Sequence, residues 1–279
     1  MSPRIGVIVT GEAALKELRI FMKTLEVWHP DAELYIATDK ETNMESLKWK
    51  GTIHVKQSLD RYVGKRRYEL DSMPGVKYNS MWTEYMYEKV NVIEWMLESP
   101  TKEGAWFFDA DISFLAPLPA IPTTASVALS PHYIKEADTK QYGYYNAGFM
   151  WFKDARYLRD WRNAGFKSRY YEQAALEDVA NLAKQKNELY EFPIQVNFGW
   201  WRMFQMKEDP PTVQTKFSLF RKDKSVGIRY DGQPLQSVHT HWYESQHSYQ
   251  SIFNGWFKTF LKKFASHPPI KVFSSAILS

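Results

Sequence analysis

Cysteine is absent, so disulfides and thiolate chemistry are closed to this chain, and any metal ion must be held by carboxylate or imidazole. A strong excess of one charge is also missing. With 36 basic and 32 acidic residues the net charge is +4, too weak a field to argue for nucleic acid as the main partner. No apolar run is long enough to span a membrane, and Ile5-Gly6-Val7-Ile8-Val9 is ended too soon by Thr10-Gly11 to serve as a signal peptide. Without cysteine, leader or span, the expectation is a soluble, cytoplasmic protein. Internal repeats and low-complexity linkers are lacking too, so the 279 residues are read as one domain sharing one sheet, 1–115 as a nucleotide-binding half and 116–279 as an acceptor-facing half.

Aromatic residues, by contrast, are plentiful. The 17 Phe, 17 Tyr and 11 Trp make up 16% of the chain, enough to fill a core and still leave flat, amphipathic walls of the kind that suit sugars. Two basic clusters stand out locally. Lys65-Arg66-Arg67 is followed by Glu69 and Asp71, and Lys262-Lys263 is expected on a solvated helix face.

The order of elements points to a parallel α/β sheet. Ile5–Val9 is a continuous apolar run, the mark of a strand buried on both faces. Leu15, Leu18, Phe21, Met22, Leu25 and Trp28 recur at helical spacing, then Leu34-Tyr35-Ile36-Ala37-Thr38 forms a second strand ending in Asp39. Thr52–Val55 is a third strand, and a helix from Ser80 to before Pro100 carries Lys89 on its apolar stripe, where the ammonium either snorkels outward or meets an anion. Further strands are expected at Ala105–Phe108, Ser126–Ser130 and Ala147–Phe152, and helices at Ala155–Ala164 and Tyr171–Lys186. The last third reads as short strands and turns, at Leu189–Ile194, Gly227–Tyr230 and Ser237–His241.

Chemistry concentrates where Trp106-Phe107-Phe108 runs into Asp109-Ala110-Asp111. Two carboxylates separated by one small residue, just past a buried strand, can face one point at the carboxyl end of the sheet. Like charges in a low dielectric repel, and a divalent cation removes that cost. Oxygen ligands favour Mg²⁺ or Mn²⁺, which would bridge the phosphates of a nucleotide diphosphate. Asp-x-Asp also arises as a simple turn or cap, so the apolar strand before it carries the weight. His239 and His241 leave one face of a late strand, and one of them could complete the metal site, His239 in preference.

Taken in order, the Ile5–Thr10 strand, Leu34–Asp39, Phe107–Asp111, Tyr145-Asn146-Ala147-Gly148-Phe149-Met150-Trp151-Phe152, Glu172-Gln173 and a late histidine resemble the GT-A nucleotide-diphospho-sugar glycosyltransferases, in layout those of the glycogenin and bacterial galactosyltransferase group. The resemblance covers most of the chain and implies a Rossmann-like, mostly parallel sheet flanked by helices. It implies a UDP- or GDP-sugar donor, Mn²⁺ or Mg²⁺, and a glycan or glycoconjugate acceptor. By the same resemblance Asp109, Asp111 and His239 or His241 hold the metal, Thr10 and Asp39 meet base and ribose, and Lys89, Asp109, Ala110 and Asn146 contact the donor. Glu172 and Gln173 stand beside the reacting sugar carbon, with Asp178 as a reserve base; a first-turn helix acid is the alternative role for Glu172. Two departures are visible: Glu-Gln replaces the usual Asp-Gln, and the His-x-x-Gly-x-x-Lys tail is missing. A sugar nucleotidyltransferase is the competing enzyme class, but it would carry a glycine-rich loop where Thr10-Gly11-Glu12 has one glycine, and a non-catalytic carbohydrate-binding protein would need the aromatics alone.

Overall fold

A computed structural model describes residues 2–98, 103–222, 225–243, 247–263 and 268–278. The first half runs β1 (Arg4–Val9), α1 (Gly11–Glu26), β2 (Glu33–Thr38), β3 (Ile53–Gln57), α2 (Arg67–Ser72), α3 (Met81–Leu97), β4 (Ala105–Phe108) and β5 (Ile112–Phe114). β6 (Val127–Pro131), α4 (Glu136–Tyr142), β7 (Tyr145–Phe152), α5 (Arg156–Gly165), α6 (Leu176–Gln185), β8 (Leu189–Glu191) and β9 (Phe198–Gly199) follow. The chain closes with α7 (Arg202–Gln205), α8 (Pro210–Thr215), β10 (Phe217–Lys222), β11 (Ser225–Tyr230), β12 (Gln233–Pro234), β13 (Ser237–His239), α9 (Ser248–Lys262) and α10 (Pro268–Leu278).

Among the described residues, seven strands form the central sheet in the order β3-β2-β1-β4-β7-β6-β8. All its pairings are parallel except those made by β7, which runs against β4 and β6. β1, β4 and β7 are buried at every position, which explains why their sequences are apolar throughout and not alternating. One apolar layer, with Val90, Ile93, Tyr157, Trp161 and Val179, packs α3, α5 and α6 on one face. The other, with Leu15, Leu18, Phe21 and Leu25, packs α1 on the opposite face. A third cluster, built on Phe198, Tyr230, Phe253 and Phe257, joins the C-terminal strands and helices.

The expected elements differ from the observed ones at several points. The predicted Tyr171–Lys186 helix starts only at Leu176, because Tyr171 adopts a left-handed backbone (φ 42°) and residues 171–175 form turns, with the Glu172 carbonyl accepting from Trp161 Nε1 at 2.7 Å. The strand at Ser237 stops at His239, since the Thr240 amide turns to the Asp111 carbonyl at 3.1 Å. The last third also carries α7 to α10, helices absent from the strand-and-turn reading, and Lys262 and Lys263 are exposed at the end of α9 as expected. Helix α3 ends at Leu97; Pro100, its expected stop, lies outside the described residues. No helix among the described residues is long and apolar enough to cross a membrane.

Candidate active site

Strands β1, β2 and β4 are parallel and adjacent, so Thr10, Asp39 and Asp109, the residues that follow them, leave the sheet at one edge. That carboxyl edge is where open α/β sheets bind ligands. The Asp109 amide still donates to the Gly148 carbonyl of β7, 2.9 Å away, and the chain then turns through Ala110 into β5, the Ile112 amide bonding back to the Asp109 carbonyl at 3.2 Å. β13 pairs antiparallel with β5, setting His239 opposite Ile112 and therefore beside Asp111.

Three ligand atoms converge as a result. One atom each of Asp109, Asp111 and His239 lies within 4.8 Å of the other two. His239 Nε2 is 3.2 Å from Asp111 and 3.8 Å from Asp109, and His241 Nε2 reaches the second Asp111 oxygen at 3.5 Å. Burial opposes ionisation of Asp111, but the His239 and His241 imidazoles prevail and hold its carboxyl well below the usual carboxylate range. Burial likewise works against charge on His239, and Asp111 overcomes it, raising the imidazole above its ordinary value. Two carboxylates and an imidazole match the hard, oxygen-rich donor set of Mn²⁺ or Mg²⁺. Gly148 is what lets two of these ligands approach: a Cβ there would collide with Asp109 Oδ2 and His239 Cε1.

Lys89 does not snorkel. Only 3% exposed, its Nζ lies 2.8 Å from Glu172 Oε1, 3.0 Å from Asp109 Oδ1 and 3.1 Å from the Ala147 carbonyl. Burial disfavours the ammonium, yet Asp109 and Glu172 outweigh it and push its pKa up. Three N–H donors meet three protein acceptors, so Lys89 ties Asp109 to Glu172 and keeps no donor for a phosphate. Glu172 is therefore a buried carboxylate ahead of α6, and the first-turn acids of that helix are Glu177 and Asp178. Asp178 is exposed and, among the described residues, makes no hydrogen bond or ion pair with this cluster.

A neutral network adjoins it. Asn146 Nδ2 donates to Gln173 Oε1 at 3.3 Å, Gln173 Oε1 also accepts from the Ala147 amide at 3.2 Å, and Gln173 Nε2 donates to the Tyr142 carbonyl at 2.9 Å. Asn146 Oδ1 accepts from the Gly148 amide at 3.1 Å and from Asn197 Nδ2 at 3.0 Å. Asn197, fully buried, is a member that sequence reading missed; its Oδ1 and the Nδ1 of His239 are buried without a hydrogen-bond partner among the described residues. Only its position in an irregular stretch just before β9 marks it in the sequence. At the end of β1, Thr10 Oγ1 is 3.1 Å from the Tyr85 hydroxyl. Asp39 is turned inward: burial works against its charge, but the Thr42 hydroxyl at 2.6 Å and the Glu41 and Thr42 amides hold its carboxyl below the usual range. Among the tryptophans near the site, Trp201 packs edge-on to both His239 and His132, Trp200 stacks on His247, and Trp242 is buried with its indole bonded to Ser113. Glu17 of α1, also unexpected, is buried and accepts from the Tyr243 amide at 2.9 Å, pinning the segment that bears His241.

No family model and no curated protein matches the sequence. Solved structures do match. The galactosyltransferase LgtC in complex with donor and acceptor sugar analogues superposes with a TM-score of 0.53 at 12% identity, over 99% of this chain and 96% of that one. The bifunctional glycosyltransferase WbbM matches with a TM-score of 0.54 at 9% identity, over 100% of this chain and 52% of that one. This is a GT-A-like glycosyltransferase fold. Mouse xyloside xylosyltransferase 1 in its apo form resembles it more loosely, at TM-score 0.48 and 8% identity over 86% of this chain and 97% of that one. Within the GT-A-like frame, the Asp-x-Asp pair lies just past a central strand, as the sequence reading expected.

Proposed function

We propose that the protein is a metal-dependent glycosyltransferase that takes a sugar from a UDP- or GDP-sugar and attaches it to a hydroxyl of a glycan or glycoconjugate. The observation that carries this reading is the convergence of Asp109, Asp111 and His239 beside Gly148, at the carboxyl edge of a GT-A-like sheet. Asp109, Asp111 and His239 would hold Mn²⁺ or Mg²⁺, with His241 against Asp111; bound there, the ion supplies positive charge that offsets the negative charge of the leaving diphosphate. His239 gives up its proton for that role, which makes metal affinity fall with acid.

The chain's own groups divide the remaining work. Thr10, backed by the Tyr85 hydroxyl, and the loop closed by Asp39 and Thr42 shape the base and ribose end within residues 1–115. Lys89 fixes the direction of Asp109 and Glu172 and does not itself bind phosphate. Glu172 places negative charge beside the cation-like sugar of the transition state. Gln173 and Asn197 hold Asn146 in place for the sugar on the 116–279 side. Asp178, exposed and unconnected, has no part in this scheme.

Incubation with a panel of UDP- and GDP-sugars and Mn²⁺ should reveal slow donor hydrolysis by at least one sugar nucleotide even without an acceptor. Asp109→Asn and Asp111→Asn should each reduce it to about 1% of wild type or less, the scale expected when a charged contact to the leaving group is lost. Full turnover in both variants would refute the metal assignment.

A further inference from the structure

Arg67, at the start of α2, is exposed at the surface and yet tightly framed. Its guanidinium carbon is 5.3 Å from the centroid of the Trp82 ring and 5.4 Å from that of Tyr171, and an N–H donates to the Tyr170 hydroxyl at 3.3 Å. Those rings set its direction without cancelling its charge. Asp71, one turn along α2 and placed for an i,i+4 pair, is committed elsewhere: its two oxygens accept from the Ser80 hydroxyl at 3.0 Å and the Tyr171 hydroxyl at 2.9 Å. Glu69 accepts instead from the Arg66 amide at 2.6 Å. Among the described residues no carboxylate pairs with Arg67.

This framed cation borders the candidate active site. Tyr171 immediately precedes Glu172, whose carboxylate meets Lys89. Trp82 precedes Lys89 by seven residues on α3, two turns along the same helix face and about 10 Å along its axis. Between them Tyr85, 5.4 Å from Trp82 ring to ring, bonds Thr10. The left-handed backbone of Tyr171 is a conformation that persists only where its surroundings demand it, and such residues gather at binding sites. Tyr170 extends the aromatic face, 4.6 Å from Tyr171 and 5.1 Å from Tyr142, and all four rings are partly exposed. Partly exposed rings offer flat faces to sugar C–H groups, and a planar guanidinium without a counter-ion is matched to the forked oxygens of a phosphate.

We propose that Arg67, framed by Trp82 and Tyr171, binds a phosphate of the substrate, either in the donor diphosphate or on a phosphorylated acceptor sugar. The proposal rests on the transferase reading for the identity of those substrates, but its chemistry is tested separately. Isothermal titration of UDP and GDP with Mn²⁺ forms the donor arm; titration of inorganic phosphate into the protein, nucleotide-free and then saturated with UDP or GDP, forms the acceptor arm. Arg67→Met should weaken one arm at least tenfold, and Arg67→Lys, which keeps the charge but not the fork, should recover only part of that loss. Loss in the nucleotide arm assigns the donor; loss in the phosphate arm assigns the acceptor. Equal affinities for wild type and Arg67→Met in both arms, with both proteins melting at the same temperature, would overturn the proposal, as would phosphate and nucleotide binding that Arg67→Lys and Arg67→Met leave alike untouched. A wild type that binds neither nucleotide but binds phosphate through Arg67 would instead strike the transferase reading and spare this site; binding of no probe at all would end both.

Discussion

Two buried histidines show how neighbours decide charge. His239 and His132 both pack against Trp201, yet His239 faces Asp111 and Asp109 and is raised, while burial, aided by the Arg202 cation and outweighing the Gly143 carbonyl and Glu177, pushes His132 down to about 4. The Gly143 carbonyl, 2.8 Å from His132 Nδ1, can only accept, so the neutral ring carries its proton on that nitrogen. The sign of the linkage follows. A folded pKa near 4 lies below the ordinary 6.5, so between those values the unfolded chain takes up the proton and the fold does not. Stability from this residue is complete above pH 6.5, declines as pH falls through the window, and is lost by pH 4. Relative to His132→Gln, the wild type should lose about 3 kcal/mol between pH 7 and pH 4, from a gap of this width at 1.36 kcal/mol per unit. Urea unfolding of both proteins at the two pH values measures it, and a constant difference would mean the ring is not held neutral. Lys89 is the opposite case, a cation whose cost of burial is met by Asp109, Glu172 and a carbonyl; it sits on an apolar stripe in the sequence, where nothing tells which anions will meet it.

At the level of elements, the site depends on how β7 lies against β4. Gly148 follows Asn146 and Ala147 on β7 and faces the point where β4 ends, so its missing side chain is what lets Asp109 and His239 approach. Gly148→Ala should cost only about 1–3 kcal/mol of stability, the usual penalty for one extra carbon in a packed place. Its effect on the site should be larger. The Mn²⁺ affinity of the protein, read by titration, should drop more than tenfold; unchanged affinity would show that the ion does not bind beside Gly148. β4 with its acids was readable because a strand buried on both faces must be apolar and its end must be polar. The 171–175 turns were not, since Tyr171 takes a left-handed conformation that no tyrosine announces, and the helical pattern after it was extended backwards over Glu172. β5 was hidden for a related reason: three residues of strand, Ile112–Phe114, are too few to show a period.

For the whole molecule, both chain halves build one sheet: β1 to β4 come from the first, β6 to β8 from the second. A ligand lying across the edge where they meet would join them, and anything that binds only the folded state stabilises it by mass action. Mn²⁺ together with UDP or GDP, at about 100 times the dissociation constant, should add roughly 2.7 kcal/mol and raise the melting temperature by roughly 5 °C. Either component alone should do much less, because each supplies the other's missing charge. A thermal-shift panel tests this; indifference to every combination would fit a sugar-binding protein and not a transferase.

Composition, the succession of buried strands along the chain and the Asp-Ala-Asp end of β4 were determined by the sequence alone, because burial on both faces and like-charge repulsion act locally along the chain and leave patterns there. The partners were decided only by tertiary structure. That His239 reaches Asp111, that Lys89 joins Asp109 to Glu172, and that Asn197 meets Asn146 follows from strand pairing and helix packing between residues 20 to 128 positions apart, where no local preference holds the information.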